Sequence, residues 1–139
     1  KEEVEECLEK IVSGGEFSTQ AELETLRGCT KINGNLFIKN FTTTTIDFTV
    51  FDCLKEITGY FNISNNYALT TMSGFTALKT VGSYFTISYN YALTTISGFT
   101  ALETVYYLYV AMNYVLTTVP ANFNKDILTW VFFHSLVTY

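Results

Sequence analysis

The chain has 139 residues, of which 48% are hydrophobic, 17% aromatic and only 15% charged, and its net charge is −5. This length fits one domain with a real core. An acidic balance without a basic cluster argues against a nucleic-acid partner, because neutralised phosphates drive that binding. No run of eighteen apolar residues is present, so we expect no membrane span.

The N-terminal segment KEEVEECLEKIV is predicted to form a helix. Val4, Leu8 and Ile11 lie at helical spacing, and Glu and Lys occupy the remaining face. The two glycines of the following SGGEF segment are expected to end this helix.

A second, short helix is predicted to begin at Thr19 and to end at Gly28. Glu22 lies three residues after Thr19, which is a capping-box pattern, and glycine favours the end of a helix. We therefore expect residues 1–29 to form an α-helical cap and residues 30–139 to form the repeats of one single domain.

The rest of the chain is a sequence repeat. YALTTMSGFTALKTV (67–81) and YALTTISGFTALETV (91–105) agree at 13 of 15 positions and are offset by 24 residues. A decayed copy begins at Tyr114, and an earlier one begins at Thr44. A unit of 23–25 residues predicts a parallel β-solenoid, in which each coil packs only on its neighbours. We expect a mainly β, right-handed solenoid of four to five coils.

Equivalent residues of successive coils are predicted to stack. Ile57, Phe61 and Ile63 alternate with polar residues and are expected to point inward. The internal ladders are expected to be Leu69, Leu93 and Leu116; Phe75 and Phe99; and Leu54, Leu78 and Leu102. At the corners, the stacked amides of Asn66, Asn90 and Asn113 are expected to bond the turn backbone.

The segments LRGCTKINGNLFI, LKEITGYFNIS and LKTVGSYFTIS share a repeated pattern of Ile-x-Gly-x-Leu-x-Ile type, the first after a cysteine. In this pattern, from about Leu23 to Val119, the chain resembles the receptor L-domain, a leucine-rich-repeat-like solenoid of growth-factor and insulin receptor ectodomains that is also found in fungal cell-wall proteins. Ser83 departs from it, since earlier coils have Gly34 and Gly59 there. The resemblance implies a secreted or cell-surface, non-enzymatic module that binds other proteins.

The same resemblance implies roles for the three cysteines. Cys29 occupies the family's cysteine position and Cys7 lies on the helix before it, so a Cys7–Cys29 disulfide is expected to tie the cap to the first coil. Cys53 aligns with Ala77 and Ala101 and is expected to fill a small core site.

Two sequons make Asn40 and Asn62 candidates for N-glycosylation. A glycan on Asn62 would lie on the outward face of the strands and would argue against an interface there.

Catalytic chemistry has few candidates. His134 is the single histidine, which excludes a histidine relay or a histidine metal site. The carboxylates of the repeats are scattered, without the clustered acids of sugar-cleaving enzymes, and Glu56, Lys79 and Glu103 are predicted to share one column of alternating sign. We expect neither an enzyme nor a cofactor or metal site.

Alignment on the Asn corners predicts an aromatic surface. The fourth repeat lacks one residue, so Leu108 aligns with Phe85 and Val110 with Ile87, while the direction of Tyr106 stays open. The outward columns read Asn35, Tyr60, Tyr84 and Tyr107, and Phe37, Asn62, Thr86 and Tyr109, and a fifth segment extends them with Trp130 and Phe132, leaving Val131 and Phe133 inside. The predicted binding face is Tyr60, Tyr84, Tyr107, Tyr109, Trp130 and Phe132.

This surface has two interpretations. Cross-strand aromatic pairs stabilise neighbouring strands by roughly 0.2 to 1 kcal/mol each, whereas a contiguous exposed aromatic patch is typical of a binding surface. The contrast with the polar first coil favours binding. We expect a protein partner or a second copy, as a dimer or filament, since residues 135–139 show no polar cap.

Two other ligands are the alternative. Stacked aromatic rings can hold carbohydrate, and repeated threonines resemble ice-binding arrays. The threonine ladder is Thr70, Thr94 and Thr117, with Thr71, Thr95 and Thr118 beside them. Ice-binding arrays usually have Thr-x-Thr, which puts both side chains on one face, whereas adjacent threonines of a strand point to opposite sides.

Overall fold

The computed structural model describes residues 6–124 and 131–133 of the chain. Helix in this part is confined to α1 (Gln20–Glu24) and two 3-10 helices, Phe48–Phe51 and Ala121–Asn124. The strands are β1 (Ile11–Phe17), β2 (Lys31–Lys39), β3 (Glu56–Ile57), β4 (Phe61–Ser64), β5 (Thr71–Met72), β6 (Thr80–Ser88), β7 (Thr95–Ile96), β8 (Thr104–Ala111) and β9 (Val131–Phe133).

The strands stack as a parallel β-solenoid of about four turns. One seven-stranded sheet runs in the order β1, β2, β3, β6, β8, β9, and β4 pairs with β2 and β6. A second, two-stranded sheet joins β5 and β7, and every pair in both sheets is parallel. The mainly β solenoid is therefore confirmed. Its right hand and the division of the chain after residue 29 stay predictions.

The predicted first helix is wrong for the residues that the structure describes. Residues 6–10 have no regular structure, and the next seven form β1, which pairs with β2. Leu8 and Ile11 are 73% and 54% exposed, so their side chains do not pack against the core and would not stabilise a helix. Val4, the first apolar residue of the predicted helix, lies outside the described residues.

The glycine pair has a different role from the predicted helix end. A Cβ atom on Gly14 would collide with the backbone oxygen of Asn35, and the pairing register of β1 with β2 shifts at this point. Glycine therefore permits two backbones to approach closely at a bulge in an edge strand.

The second predicted helix is confirmed in part. The Thr19 hydroxyl accepts a 3.1 Å hydrogen bond from the Glu22 N–H, and the Glu22 carboxylate accepts one of 3.2 Å from the Thr19 N–H, which completes the capping box. The helix ends at Glu24, before Gly28, which follows a turn and has a φ of +83°. One five-residue helix does not make an α-helical cap, so that part of the prediction is not confirmed.

The predicted interior is confirmed. Ile57, Phe61 and Ile63 are fully buried, and every member of the three predicted ladders is at most 1% exposed. The phenylalanines stack along the coil axis, with ring centroids 5.0 Å apart between Phe75 and Phe99. Dense contact of this kind between neighbouring coils is the main source of stability in a solenoid.

Asparagines line one corner of the stack, as predicted. Asn66, Asn90 and Asn113 are at most 1% exposed. The Asn90 amide donates to the Ile63 carbonyl oxygen and to Asn113 Oδ1, both at 3.1 Å, and its own Oδ1 accepts from the Asn66 N–H at 3.1 Å. Each side chain thus satisfies buried backbone groups of the coil before it.

The disulfide joins Cys7 to Cys53, whose Cα atoms are 5.5 Å apart, and Cys29 is a buried free thiol. The predicted Cys7–Cys29 pair is therefore wrong. Cys29 comes two residues before Lys31, whose register partner Glu56 comes two residues after Leu54, so this thiol lies in line with the Leu54 ladder. Burial raises its pKa to about 11.

Cys53 does not occupy the small core site that was predicted. It is half-buried, as are Ala77 and Ala101 at the equivalent positions of later coils. A side chain at this rim can reach the N-terminal segment that runs beside it, whereas Cys29 points into the core.

Candidate functional site: an aromatic face

Strands β6 and β8 hold the tyrosines in register. Tyr84 lies opposite Tyr107 and Phe85 lies opposite Leu108, while the pairing shifts by one residue between Val81 and Tyr84. This shift is the one-residue loss that the sequence predicts, and it is confirmed. It keeps the inward Phe85 and Leu108 aligned and the tyrosines on the opposite side of the sheet.

The outward rings contact one another from coil to coil. The Tyr60 N–H donates a 2.8 Å hydrogen bond to Asn35 Oδ1, which fixes the start of the row. Tyr60 meets Tyr84 edge-on at 6.0 Å between centroids, Tyr84 stacks on Tyr107 at 5.4 Å, and Tyr107 lies 6.4 Å from Tyr109. These distances lie within the favourable range for aromatic pairs.

Tyr106 belongs to this surface, although the sequence left its direction open. It is 57% exposed and its ring lies 5.6 Å from that of Tyr84. Val105 and Leu108 are both buried, so two residues rather than one separate the inward positions, and both can turn outward. The missing residue in the fourth repeat was the signal. We call Tyr60, Tyr84, Tyr106, Tyr107 and Tyr109 the aromatic face.

Two further residues were predicted here. Trp130 lies outside the described residues. Phe132 is the register partner of Tyr109 in β9, between the pairs Leu108–Val131 and Val110–Phe133, which is the backbone register that the prediction assumed.

The column beside the tyrosines is mixed in polarity. Phe37, Asn62, Thr86 and Tyr109 follow one another in register, and all four are half-buried. The Asn62 Oδ1 atom is buried and has no hydrogen-bond partner within the described part of the chain. The half-buried polar side chains of Asn62 and Thr86 therefore border the aromatic face.

A second row of tyrosines occupies the corner of the coils, and we call Tyr67, Tyr91 and Tyr114 the corner ladder. Their rings are stacked, with centroid distances of 5.0 and 5.5 Å and interplanar angles of 19° and 17°. Desolvation, followed by the neighbouring phenols, raises the pKa of the Tyr91 hydroxyl. These tyrosines begin the three aligned copies of the repeat, so their stacking follows from the repeat, whereas the exposure of all three rings does not.

Charge is distributed unevenly along the stack. Between residues 80 and 124 the sequence has a single charged residue, Glu103. Ion pairs lie in the earlier coils and join Arg27 with Glu24 (2.7 Å) and Asp47 (3.3 Å), Lys31 with Glu56 (3.7 Å), and Lys39 with Glu16 (3.3 Å). Most of the aromatic face therefore lies in an almost uncharged part of the protein.

The predicted column of Glu56, Lys79 and Glu103 is wrong for its first member. Glu56 has Lys31 and Thr80 as register partners. The Glu103 N–H donates to the Lys79 carbonyl oxygen at 2.9 Å, so these two residues do follow one another. The pairing places Glu56 one residue away from the other two.

The threonine ladder forms hydrogen bonds between coils. The hydroxyl of Thr94 donates to the carbonyl oxygen of Thr70 at 3.1 Å. The hydroxyl of Thr117 donates in the same way to the carbonyl oxygen of Thr94 at 3.3 Å. Thr95 pairs with Thr71 and bridges to Thr118. These contacts use one row of hydroxyls to join the coils.

Residues 6–124 were also compared with the features of a metal site, a membrane-spanning helix and a ligand pocket. No group of three or more His, Cys, Asp and Glu side chains in this part could hold a metal ion, and no helix there is long and apolar enough to cross a membrane. A pocket of about 380 Å³ beside the disulfide is lined by Arg27, Val50 and Cys53, among others, and includes none of the tyrosines.

Parallel coils with internal leucine and phenylalanine ladders, joined by an asparagine corner, define a leucine-rich-repeat-like β-solenoid. The receptor L domain family matches residues 28–97, which is half of the chain, and the protein belongs to this family. Receptor L domains are ligand-binding modules, typically extracellular and non-enzymatic, and this membership is compatible with a non-catalytic binding role. No curated protein matches the chain. The matched range includes Tyr60 and Tyr84 but ends before Tyr106.

Proposed function

We propose that this chain is a single-domain, non-catalytic module, secreted or displayed at the cell surface, whose aromatic face binds a protein. The observation that carries the proposal is the ring-to-ring continuity of five tyrosines on one side of a sheet whose register is fixed by a buried core. Rigid rings lose little conformational entropy on binding and bury a large area, which is why tyrosine is common at energetically important interface positions.

The kind of partner follows from the charge distribution. With Glu103 as the single charge between residues 80 and 124, this surface provides little electrostatic attraction for a strongly charged ligand. A partner that matches it has an apolar or aromatic centre with polar groups toward Asn62 and Thr86. Binding is therefore expected to depend only weakly on ionic strength.

A binding screen tests the proposal. We expect a panel of secreted and cell-surface ectodomains, with this chain itself included, to contain a partner whose affinity falls at least about tenfold when Tyr84, Tyr106 and Tyr109 are all changed to serine, because about 1.4 kcal/mol or more of contact energy is lost. The matched control changes Tyr67, Tyr91 and Tyr114 to serine and should leave the affinity unchanged.

The melting temperature of each triple variant is measured to check that both variants remain folded. A partner that binds the Tyr84, Tyr106 and Tyr109 triple variant as tightly as the wild type would show that the aromatic face is not the interface. A panel without any binder would also contradict the proposal.

A second copy of the chain is the partner that one further observation favours. Each copy carries a net charge of −5, and charged residues are concentrated outside residues 80–124, so two copies repel one another least at the uncharged surface. Sedimentation across a wide concentration range separates this case from a different protein. A dimer that dissociates in the same triple variant supports self-association, and a strict monomer at the highest concentration rules it out.

Carbohydrate and ice binding have less support. In the corner ladder the three rings stack on one another, so the ring faces between neighbouring tyrosines are not accessible to a free sugar. In the threonine ladder the hydroxyls of Thr70, Thr94 and Thr117 donate to backbone oxygens rather than standing free for ordered water.

A further inference from the structure

Four successive corners of the solenoid are equivalent. The N–H groups of Phe41, Asn66 and Asn90 each donate to the Oδ1 atom of the corner asparagine in the next coil, at 3.0, 3.1 and 3.0 Å. The residue just before each corner has a left-handed backbone, and the φ angles of Asn40, Asn65, Tyr89 and Met112 are +63°, +58°, +59° and +60°.

In three of these corners, the left-handed residue contacts the tyrosine two positions later. The Tyr67 hydroxyl lies 3.5 Å from Asn65 Oδ1, and the Tyr114 hydroxyl lies 3.6 Å from the sulfur of Met112. In the corner between them, the two rings of Tyr89 and Tyr91 meet edge-on at 6.3 Å. In each of these coils, the side chain of the residue with the left-handed backbone therefore lies against the corner ladder.

The first corner departs from this pattern. Here the left-handed residue is Asn40, and an exposed Thr42 stands where the later coils have tyrosine. The ladder therefore begins at Tyr67, which has Tyr91 on one side and the Thr42 coil on the other. Tyr67 is 54% exposed, whereas Tyr91, with a tyrosine on both sides, is 43% exposed.

The change that removes the ring also creates an acceptor sequence, Asn40-Phe41-Thr42. We propose that Asn40 carries an N-linked glycan and that its first N-acetylglucosamine packs against the open face of Tyr67, in the place of the missing tyrosine. A pyranose ring has an apolar face of C–H groups that can cover an aromatic ring as a further phenol would. The proposal rests on the extracellular location given under the proposed function.

The attachment is an ordinary group transfer. A lipid-linked oligosaccharide pyrophosphate is the donor, and the bond from the sugar C1 atom to the pyrophosphate oxygen breaks. A new bond forms from C1 to Asn40 Nδ2, and the lipid pyrophosphate leaves with the electron pair of the broken bond and takes up the proton that the amide loses. Asn40 and Thr42 are both exposed, so the finished glycan fits the folded chain.

The second sequon is placed differently. Asn62 lies within β4, between β2 and β6, with its Oδ1 atom buried, and Ser64 is only 8% exposed. A sugar there would have to stand among half-buried side chains beside the tyrosines. We therefore infer that Asn40, and not Asn62, is the modified residue.

Occupancy is tested by secreting the full chain from eukaryotic cells and measuring the intact mass and the glycopeptides. We expect one N-glycan in the wild type, none in Asn40→Gln or Thr42→Ala, and an unchanged glycan in Asn62→Gln. Secreted protein without sugar on Asn40 overturns the proposal, as does a glycan that persists in Thr42→Ala.

Packing on Tyr67 is tested by a double-mutant cycle, with the glycan trimmed enzymatically to a single N-acetylglucosamine. Loss of the sugar through Thr42→Ala, which keeps asparagine at the left-handed position 40, should lower the melting temperature by about 2 to 5 °C in the wild-type background, and by less than half as much with Tyr67→Ser. With Tyr114→Ser, at the far end of the ladder, the full decrease should remain. An equal decrease in all three backgrounds overturns the packing. None of these variants changes the aromatic face, so failure here is distinct from failure of the binding screen.

Discussion

Tyr89 holds a left-handed backbone, with a φ of +59°, at a position where the two earlier coils have asparagine. A residue with a Cβ atom has a steric cost of roughly 1–2 kcal/mol in this conformation. Apart from glycine, asparagine is among the residue types that adopt the left-handed conformation most readily. Met112 is in the same situation, with a φ of +60°. The aromatic and thioether contacts that these residues make with the corner ladder offset part of this strain.

We expect Tyr89→Asn to raise the free energy of unfolding by about 0.5 to 1 kcal/mol, because relief of the backbone exceeds the loss of one edge-on contact with Tyr91. Chemical denaturation measures this change. Tyr91→Asn is the matched control, since it removes the same contact without relieving a left-handed residue, and it should destabilise. A loss of stability in Tyr89→Asn would show that the ring contact outweighs the strain.

At the scale of the element, the asparagine ladder behaves as one unit. The Asn90 side chain bonds the Ile63 carbonyl oxygen, the Asn66 N–H and Asn113 Oδ1, and it is fully buried. Removal of such a side chain leaves several buried polar groups without hydrogen-bond partners. Each unsatisfied group lowers the free energy of unfolding by about 1–3 kcal/mol.

Asn90→Ala should therefore lower the free energy of unfolding by about 3 kcal/mol or more, measured by urea denaturation. Asn33→Ala is the comparison, because Asn33 is exposed and makes one long contact, 3.4 Å, with the Thr58 hydroxyl. Equal effects of the two changes would mean that the ladder contributes little.

The disulfide is an element-scale feature as well, since it ties the segment before β1 to the second coil across 46 residues. Cys7→Ser and Cys53→Ser should each lower the stability by about 2 to 4 kcal/mol. Cys29→Ala should leave the disulfide intact in a non-reducing peptide map. Loss of the crosslink in this variant, or a wild-type map that shows Cys29 in the crosslink, would contradict the Cys7–Cys53 pairing.

At the scale of the whole molecule, the sequence predicts what repeats and fails where a segment occurs once. The Leu69, Phe75 and Asn66 positions recur in later coils, so alignment alone indicates which side chains stack. β1 has no copy in the sequence, and its helical spacing of Leu8 and Ile11 was misleading because pairing with β2, rather than burial of those two residues, decides its structure.

The cysteines and Tyr106 show the same limit. Which of three cysteines pair depends on the direction of each side chain in the folded coil, and the spacing along the chain does not contain that information. Tyr106 turns outward because of a local shift in register at one point, which alignment locates but does not orient. The predicted outward row from Tyr60 to Tyr109 follows from the repeat and agrees with the described register.

The asparagine ladder has a consequence for how proteins of this design can change in length. Each corner amide accepts from the coil before it and donates to that coil, in the same way for Asn66, Asn90 and Asn113. A duplicated 24-residue unit, such as the one that begins at Tyr67, could thus be inserted between two coils with every junction preserved. Each insertion would add one tyrosine to the outward row, so gene duplication could lengthen the aromatic face in whole steps while both ends of the protein stay as they are.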